Sequence, residues 1–230
     1  MFDLFKYLPE GISSFSGDID NLIHFIYLIT GIFFVLFEGA LIYIIFRFRK
    51  KNGSKAKYQL GDKWAQIQWV VVFVAVCVCL DFFIDVKSTK VWELLKEQVP
   101  ATDVNIKVVA KQFDWTFVYP DKDGKFDTPD ALSSYRELHV PVGKKVHVIL
   151  TSQDVIHDFF LSEVRLKQDV MPGREINAWF DTNKVGTYHI VCDELCGFGH
   201  TRMLAVLHVD DEKTYEDWKV QLYKQLHGGV

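Results

Sequence analysis

Two long apolar stretches near the start of the chain constrain its fold more than any other feature. Residues 22–46 are mostly Ile, Leu, Phe and Tyr with one charged side chain, Glu38, and residues 64–80 contain no charged side chain. A helix needs about 20 apolar residues to cross a bilayer core. Helices buried in a soluble core are the alternative, but two such stretches joined by a short polar loop favour a membrane hairpin. We predict transmembrane helices over 22–46 and 64–84.

The charges that flank these stretches predict the orientation of the hairpin. Loop 47–63 carries seven basic residues against one acidic residue, Asp62, whereas residues 1–21 carry four acidic residues against Lys6. Basic loops remain in the cytoplasm. Both chain ends are therefore expected outside, in the periplasm of a bacterial inner membrane or on the equivalent side of another membrane. The acidic outer segment 1–21 is unlike the basic start of a signal peptide, which favours a retained anchor.

The chain after residue 84 has the pattern of a soluble part. A connector over 85–103 with a short amphipathic helix is expected to end near Pro100. Between 104 and 210, short runs rich in Val, Ile and aromatic residues alternate with turn sequences such as Asp123-Gly124. This pattern predicts an all-β sandwich or barrel. Residues 211–230 are predicted to form a C-terminal helix and tail.

Composition excludes several classes of protein. Hydrophobic residues make up 49% of the chain, too many for a disordered protein. The net charge of −4 gives no basic surface for nucleic acid. Four cysteines in 230 residues are too few for a disulfide scaffold. The soluble part has 23 acidic and 18 basic residues, and an acidic face attracts basic partners.

One segment, residues 192–203, concentrates potential metal ligands. Its sequence is CDELCGFGHTRM, in which Cys192 and Cys196 are followed by His200 and Met203. A further candidate, His157, lies upstream where a β-run ends. Thiolate and thioether together select copper, whereas thiolate with imidazole also suits zinc. The glycines of the segment predict a loop between two strands, which can wrap around a metal.

The same residues allow other interpretations of this segment. A disulfide between Cys192 and Cys196 is feasible in an oxidising compartment, but it leaves the position of Met203 unexplained. A zinc site completed by His157 also has no use for Met203. His157 could instead fill the core. A single-copper electron-transfer site needs one Cys, two His and a weak Met, and the second Cys is what two copper ions need as bridges.

On these residues, the chain resembles subunit II of the haem-copper cytochrome c oxidases. The family motif is Cys-x-Glu-x-Cys-x-x-x-His-x-x-Met with an upstream His. Every position of this motif is matched, by Cys192, Glu194, Cys196, His200, Met203 and His157. The resemblance covers nearly the whole chain. It implies an N-terminal two-helix transmembrane hairpin followed by an all-β, cupredoxin-like Greek-key barrel over 104–210.

The resemblance implies a dinuclear copper centre, CuA. Cys192 and Cys196 would bridge the two copper ions, and His157 and His200 would each bind one of them. Met203 would be a weak ligand.

Glu194 has two implied roles. Its backbone carbonyl would bind copper, and its side chain would face a Mg²⁺ or Mn²⁺ ion shared with subunit I.

The same resemblance implies the function and the partners. The chain would accept electrons from cytochrome c, or a cytochrome c domain, and pass them to haem in subunit I, which reduces O2 to water. Partners would be subunit I, other oxidase subunits, the donor and membrane lipid, within a proton-translocating oxidoreductase. A CuA-bearing haem-copper nitric oxide reductase is an alternative. A membrane-anchored copper-delivery protein is a weaker one, because the β-rich pattern, two anchors and Met203 argue against it.

The site expected to receive electrons departs from the family. The family sequence Gln-Trp-Tyr-Trp is here Gln112-Phe113-Asp114-Trp115. By their position in this alignment, Phe113, Asp114 and Trp115 are expected to dock the donor, although Phe113 replaces the first Trp of the family sequence. The alternation of aromatic residues from Phe113 to Tyr119 equally fits one face of a buried strand.

The membrane part also departs from the family. Gln66 stands where a Glu near a proton path is common. Glu38 lies within the first apolar stretch, where a carboxylate is costly. Glu38 is expected either to pack against a partner subunit or to take part in proton uptake.

Overall fold

The computed structural model describes residues 8–51, 53, 55, 58–97 and 99–228. In this range, two long helices are followed by ten strands and a third helix. The helices are α1 (Ser16–Phe48), α2 (Trp64–Trp92, continued by a π-helical turn Glu93–Glu97) and α3 (Glu212–His227). The strands are β1 (Val104–Lys111), β2 (Asp114–Tyr119), β3 (Leu132–Tyr135), β4 (Glu137–Pro141), β5 (Lys145–Ser152), β6 (His157–Leu161), β7 (Leu166–Val170), β8 (Ile176–Asp181), β9 (Gly186–Cys192) and β10 (Leu204–Asp210).

The described residues between Asp18 and Glu93 form one compact unit built from α1 and α2. Both helices are long and apolar enough to cross a membrane. Their apolar side chains are mostly exposed, and Phe37 of α1 packs edge-to-face on Phe73 of α2 with ring centroids 5.2 Å apart. Helices that expose this much apolar surface need a non-aqueous surrounding. The chain therefore carries a pair of membrane-anchoring helices.

The second helix is longer than the sequence predicted. A separate short helix was expected in the connector 85–103, but α2 runs on to Trp92 and its π-helical turn to Glu97. The physical reason is that no Gly or Pro occurs between Trp64 and Pro100, and the charged residues that suggested a boundary do not interrupt a helix.

The described residues before Asp18 and after Glu93 contribute to the second unit, which is built on two five-stranded sheets. One sheet has the order β3-β2-β1-β5-β8 and the other β4-β10-β9-β6-β7. Pairs β1/β5 and β4/β10 are parallel, and the other pairs are antiparallel. Fully buried side chains from both sheets meet in the core, among them Ile106, Phe117, Val148, Phe159 and Leu207. The prediction of an all-β, cupredoxin-like domain is confirmed.

The strands form where buried and exposed side chains alternate. In β1, β5 and β10 every second residue is buried, as expected for strands with one face on a core. The aromatic and β-branched residues of 104–119 follow one another without a Gly or Pro, but they form two strands, because the chain reverses at Gln112 and Phe113 and forms the β1/β2 hairpin. Strands β3, β6 and β7 were not predicted. Strand β6 lacks alternation because nearly every one of its side chains is buried.

The segment before α1 packs on the β-sheet unit. The backbone N–H of Ile12 donates to the carbonyl of Glu163 (2.9 Å), and the Ile12 carbonyl accepts from the N–H of Asn183 (2.8 Å). Phe15 is buried against Trp179, edge-to-face at 5.3 Å. Residues 12–15 thereby add apolar and hydrogen-bonding contacts to this unit.

Candidate metal centre

The predicted metal ligands lie on two neighbouring strands, β6 and β9, and in the segment that joins β9 to β10. His157 is the first residue of β6 and Cys192 the last of β9. Cys196 lies in the loop that follows, and His200 begins a 3-10 turn, His200–Arg202. Met203 lies between that turn and β10. We call these five side chains, His157, Cys192, Cys196, His200 and Met203, the sulfur cluster.

Neighbouring donor atoms of the sulfur cluster lie 3.6 to 3.8 Å apart. The two sulfur atoms of Cys192 and Cys196 are 3.7 Å apart. The Nδ1 atom of His157 is 3.8 Å from the Cys192 sulfur, and the Nδ1 atom of His200 is 3.6 Å from the Cys196 sulfur. The Met203 sulfur is 3.8 Å from that of Cys196. One nitrogen therefore faces each thiol.

These distances fit metal ions shared between the donors. Sulfur and nitrogen bind comparable metals at about 2.3 and about 2.1 Å, which separates two donors of one ion by roughly 3.6 to 3.8 Å at a tetrahedral angle. A disulfide would hold its sulfur atoms about 2.0 Å apart, and both cysteines are free thiols. The donor set of two thiolates, two imidazoles and a thioether suits copper. The residues present thus fit a copper centre.

Four of the five side chains of the sulfur cluster are buried, and His200 is half-buried. His157 and Met203 are fully buried, and Cys192 and Cys196 are 7% and 4% exposed. Burial opposes ionisation of the Cys192 thiol, but hydrogen bonds from His157 and from neighbouring backbone outweigh it and lower its pKa to about 6. Burial and the adjacent Cys192 raise the pKa of Cys196. One negative charge forms readily on the pair, whereas a second needs a cation beside it.

Sequence reasoning missed Asp154, which orients His157. The Asp154 carboxylate contacts His157 Nε2 at 2.8 Å, so that Nδ1 faces the thiols. Burial raises the pKa of Asp154, but hydrogen bonds from the backbone of Gln112, from His157 and from the backbone of Val155 outweigh burial and lower it. A carboxylate on the outer nitrogen of a ligand histidine fixes both ring orientation and tautomer. An acidic residue three positions before a histidine was the only sequence signal.

The β1/β2 turn presses on the loop that carries Cys196. The Gln112 side chain donates to the Cys196 carbonyl at 2.6 Å. The Phe113 ring lies so close to Gly199 that a Cβ there would meet ring atom Cδ2 at 2.4 Å. Gly197 has φ +134°, a conformation that other residues rarely adopt. The glycines of the motif are therefore needed for this close approach, which holds the loop in place.

The three residues expected to dock a donor lie in different environments. Phe113 is half-buried in the β1/β2 turn, against the loop rather than in a strand. Asp114 forms an ion pair with Arg136, which offsets its attraction for a basic partner. Trp115 is fully buried beside Phe159, with centroids 5.5 Å apart. A direct contact between Trp115 and a donor is inconsistent with this burial, because alternation turns Trp115 towards the core.

Three other residues singled out from the sequence can also be located. The Glu194 carbonyl lies 3.3 Å from the Cys192 sulfur, and its side chain is exposed. Gln66 lies in the first turn of α2. Its side chain accepts a hydrogen bond at 2.8 Å from the N–H of Gly61, which precedes the helix. Glu38 is exposed on α1.

One buried acid beside the sulfur cluster escaped sequence reasoning. Asp158 is 1% exposed, and its Oδ1 has no hydrogen-bond partner among the described residues. Burial raises its pKa to about 7, and Asp169 on the paired strand contributes. No sequence pattern separates this residue from an ordinary exposed strand acid.

Comparison with known proteins follows the same division of the chain. Residues 104–209 match the family model described as the periplasmic domain of cytochrome c oxidase subunit II. The alternative cytochrome c oxidase subunit 2 of Bradyrhizobium diazoefficiens is 32% identical over 227 residues, covering 89% of this chain and 80% of the relative. Cytochrome c oxidase subunit 2 of Thermostichus vulcanus is 27% identical, covering 93% and 78%.

A solved structure supports the assignment of the β-sheet unit. The crystal structure of the periplasmic domain of subunit II of cytochrome oxidase from Bradyrhizobium japonicum is similar, with a TM-score of 0.51 and 30% identity. The match covers 56% of this chain and 99% of that domain. This match agrees with the relatives that cover most of the chain and with the pair of membrane-anchoring helices. This chain belongs to the cytochrome c oxidase subunit II family.

Proposed function

We propose that this chain accepts electrons at a dinuclear copper centre and passes them to haem in subunit I of a terminal oxidase. The observation that carries the proposal is the sulfur cluster, with one imidazole nitrogen within 3.8 Å of each of two thiols that are 3.7 Å apart. Cys192 and Cys196 would bridge the copper ions, and His157 and His200 would each bind one. Met203 and the Glu194 carbonyl, both within 3.8 Å of a thiol sulfur, would complete the ligands.

The chain's own contribution is to keep these ligands in place. When bound, two copper ions that share one electron can accept and release it with small changes in bond length. Asp154 fixes the His157 ring and Gln112 holds the Cys196 carbonyl. Burial of the thiols and Met203 removes water that would otherwise reorient with each change of charge. A rigid, dry cluster therefore lowers the cost of electron transfer.

The surface around the loop supports a donor and a partner subunit as neighbours. Leu195 and Phe198 are strongly exposed on the loop, and Phe113 lies behind it. We propose that this apolar surface and the Phe113 turn receive the donor, and that the acidic soluble part attracts a basic cytochrome c from solution. The exposed Glu194 side chain would face a Mg²⁺ or Mn²⁺ ion at subunit I.

The membrane part would anchor this centre on the outer side. The basic loop 47–63 supports a cytoplasmic position for the link between α1 and α2. Both chain ends would then lie outside. Glu38 on α1 would pack against subunit I or take part in proton uptake; substituting Glu38 by Ala and measuring proton uptake in the assembled oxidase distinguishes the two roles.

Electron paramagnetic resonance of the copper-loaded chain tests the proposal. The full chain is purified in detergent without copper, loaded and examined for the hyperfine pattern of one electron shared by two equivalent copper nuclei. His157→Ala is expected to abolish this pattern, because one imidazole ligand is lost. His147→Ala is the matched control, since His147 lies on β5 between Asn105 and Asn177.

Two results would contradict the proposal. One is a single-copper spectrum in the wild-type chain under all loading conditions. The other is a preference for zinc that copper does not displace. Retention of the shared-electron pattern in His157→Ala would remove this residue from the ligand set.

A further inference from the structure

A second group of metal-ligating side chains lies on the outer face of the same sheet. Glu137, His139 and His208 offer one carboxylate oxygen and two imidazole nitrogens, all within 4.8 Å of one another. Glu137 and His139 are two apart on β4 and share a face, and His139 pairs with His208 on β10. We call these three residues the outer histidine cluster. The strand geometry alone brings them together.

His139 is held rigidly in this cluster. Its Nδ1 lies 2.7 Å from an Asp210 carboxylate oxygen. Its ring is sandwiched between Trp218 of α3 (4.0 Å between centroids) and His208 (4.2 Å). The Tyr119 hydroxyl donates to the His139 carbonyl and accepts from its N–H. A carboxylate on one nitrogen leaves the other nitrogen as a potential metal ligand with a fixed direction.

The other two members can adjust. Glu137 is exposed and His208 half-buried, and no hydrogen bond among the described residues holds the His208 ring. The rings of His139 and His208 are nearly parallel, 13° apart, so binding requires His208 to turn its nitrogen towards the ion. Rotating the half-buried His208 side chain requires little free energy beyond the loss of its stacking on His139.

We propose that the outer histidine cluster binds a divalent transition-metal ion of the zinc type. Two imidazoles and a carboxylate suit zinc, and three protein ligands leave one position for water. The cluster has no sulfur ligand, unlike the sulfur cluster. His208 lies five residues after Met203 along the chain, about 17 Å at strand spacing. The site is separate from the copper ligands and would clip the edge strand β4 to β10.

Zinc titration of the full chain in detergent tests this site. The sulfur cluster is first loaded with copper, and Zn²⁺ is then titrated by calorimetry. One Zn²⁺ per chain is expected to bind, with the visible absorption of the copper centre unchanged. His208→Ala is expected to weaken binding at least tenfold, and Glu137→Gln several-fold. His147→Ala, which removes a histidine of the other sheet, should leave binding unchanged.

A second background separates this proposal from the copper proposal. The same titration is repeated in a Cys192→Ser/Cys196→Ser chain, which cannot hold zinc between two thiolates. The same site, lost with His208→Ala, is expected there even if the copper centre is disproved. Equal zinc affinity in the wild type and His208→Ala, an equal loss in His147→Ala, or no zinc binding to the wild-type chain would overturn the proposal. Because His208 and Glu137 lie outside the core, these variants are expected to fold, which their melting temperatures check.

Discussion

The sulfur cluster and the outer histidine cluster are built on one sheet by different means. In both, a carboxylate holds one ring nitrogen of a buried histidine, at 2.8 Å for Asp154 and His157 and at 2.7 Å for Asp210 and His139. The sulfur cluster takes most of its ligands from one loop, and its members are buried except for the half-buried His200. The outer histidine cluster takes its ligands from two paired strands, and Glu137 is open to solvent.

This difference explains why the two clusters should prefer different metals. Thiolates and a thioether in a dry site favour copper, whereas imidazole and carboxylate at a wet surface favour zinc. It also explains which cluster the sequence reveals. Ligands within one short loop stand out by spacing, but ligands on two strands stand out only once the pairing of β4 and β10 is known.

The largest effect is expected from Cys196→Ser. Cys196 contacts Cys192, His200 and Met203, so its loss removes the sulfur that joins most of the cluster. The shared-electron signal should disappear, and zinc binding at the outer histidine cluster should persist. Cys79→Ser on α2 is the control, because Cys79 lies far from the motif in sequence. A full copper signal in Cys196→Ser would show that the two thiols do not act as a pair.

Gly199→Ala is expected to destabilise the loop of the sulfur cluster without affecting the outer histidine cluster. The added Cβ would meet the Phe113 ring at 2.4 Å, and overpacking of this kind costs about 1–3 kcal/mol. The melting temperature and copper retention should both fall. Gly17→Ala, which meets no atom within 4 Å, is the control. The double variant with Phe113→Ala should recover part of the loss, and an equal loss in both backgrounds would show that Phe113 is not the cause.

Asp154→Asn tests the carboxylate of the sulfur cluster. Losing such a partner of a ligand histidine costs roughly 10- to 100-fold in metal affinity, so copper should be removed by chelators at correspondingly lower concentration. Asp193→Asn is a matched change, because Asp193 adjoins Cys192 but pairs with Lys167 instead. Equal copper retention in the two variants would mean that Asp154 does not orient His157.

Asp210→Asn makes the equivalent change in the outer histidine cluster. A smaller effect, about tenfold in zinc affinity, is expected because stacking on Trp218 still holds the His139 ring. The copper signal should not change. Asp217→Asn on the exposed side of α3 is the control for charge. A change in the copper signal would show that the clusters are coupled, against the separation argued above.

Sequence alone was sufficient for the fold class and insufficient for several details. Alternation identified the core strands, and the length of the apolar stretches identified the anchoring helices. Phe113 continues the aromatic alternation of β2 but belongs to a turn. The sequence does not reveal this turn, because apolar residues alternate with the same period before and after Gln112. Arg165 turns the chain between β6 and β7 with φ +63°, where a glycine would have signalled the turn.

Four of the five candidate ligands could be read from the sequence because their spacing within 192–203 is local, whereas His157 lies 35 residues before Cys192. The supports of these ligands could not be read in this way. Asp154 and Gln112 act through contacts that depend on the hairpin and on the end of β5. Trp115 differs from its half-buried neighbours only by the face of β2 that it occupies. Asp158 is buried because nearly every side chain of β6 is covered, on both faces of the strand. These roles depend on tertiary packing, which single residues and periods do not encode.

The docked segment before α1 has a consequence for the order in which the protein is made. Ser13 donates to the carbonyl of Val164 (2.7 Å), and the N–H of Ser14 donates to Asp181 (2.8 Å). Their partners lie more than 150 residues later in the chain, so they leave the ribosome long afterwards. Contacts this distant in sequence form late. The segment before α1 can therefore make these contacts only after β8 has been synthesised.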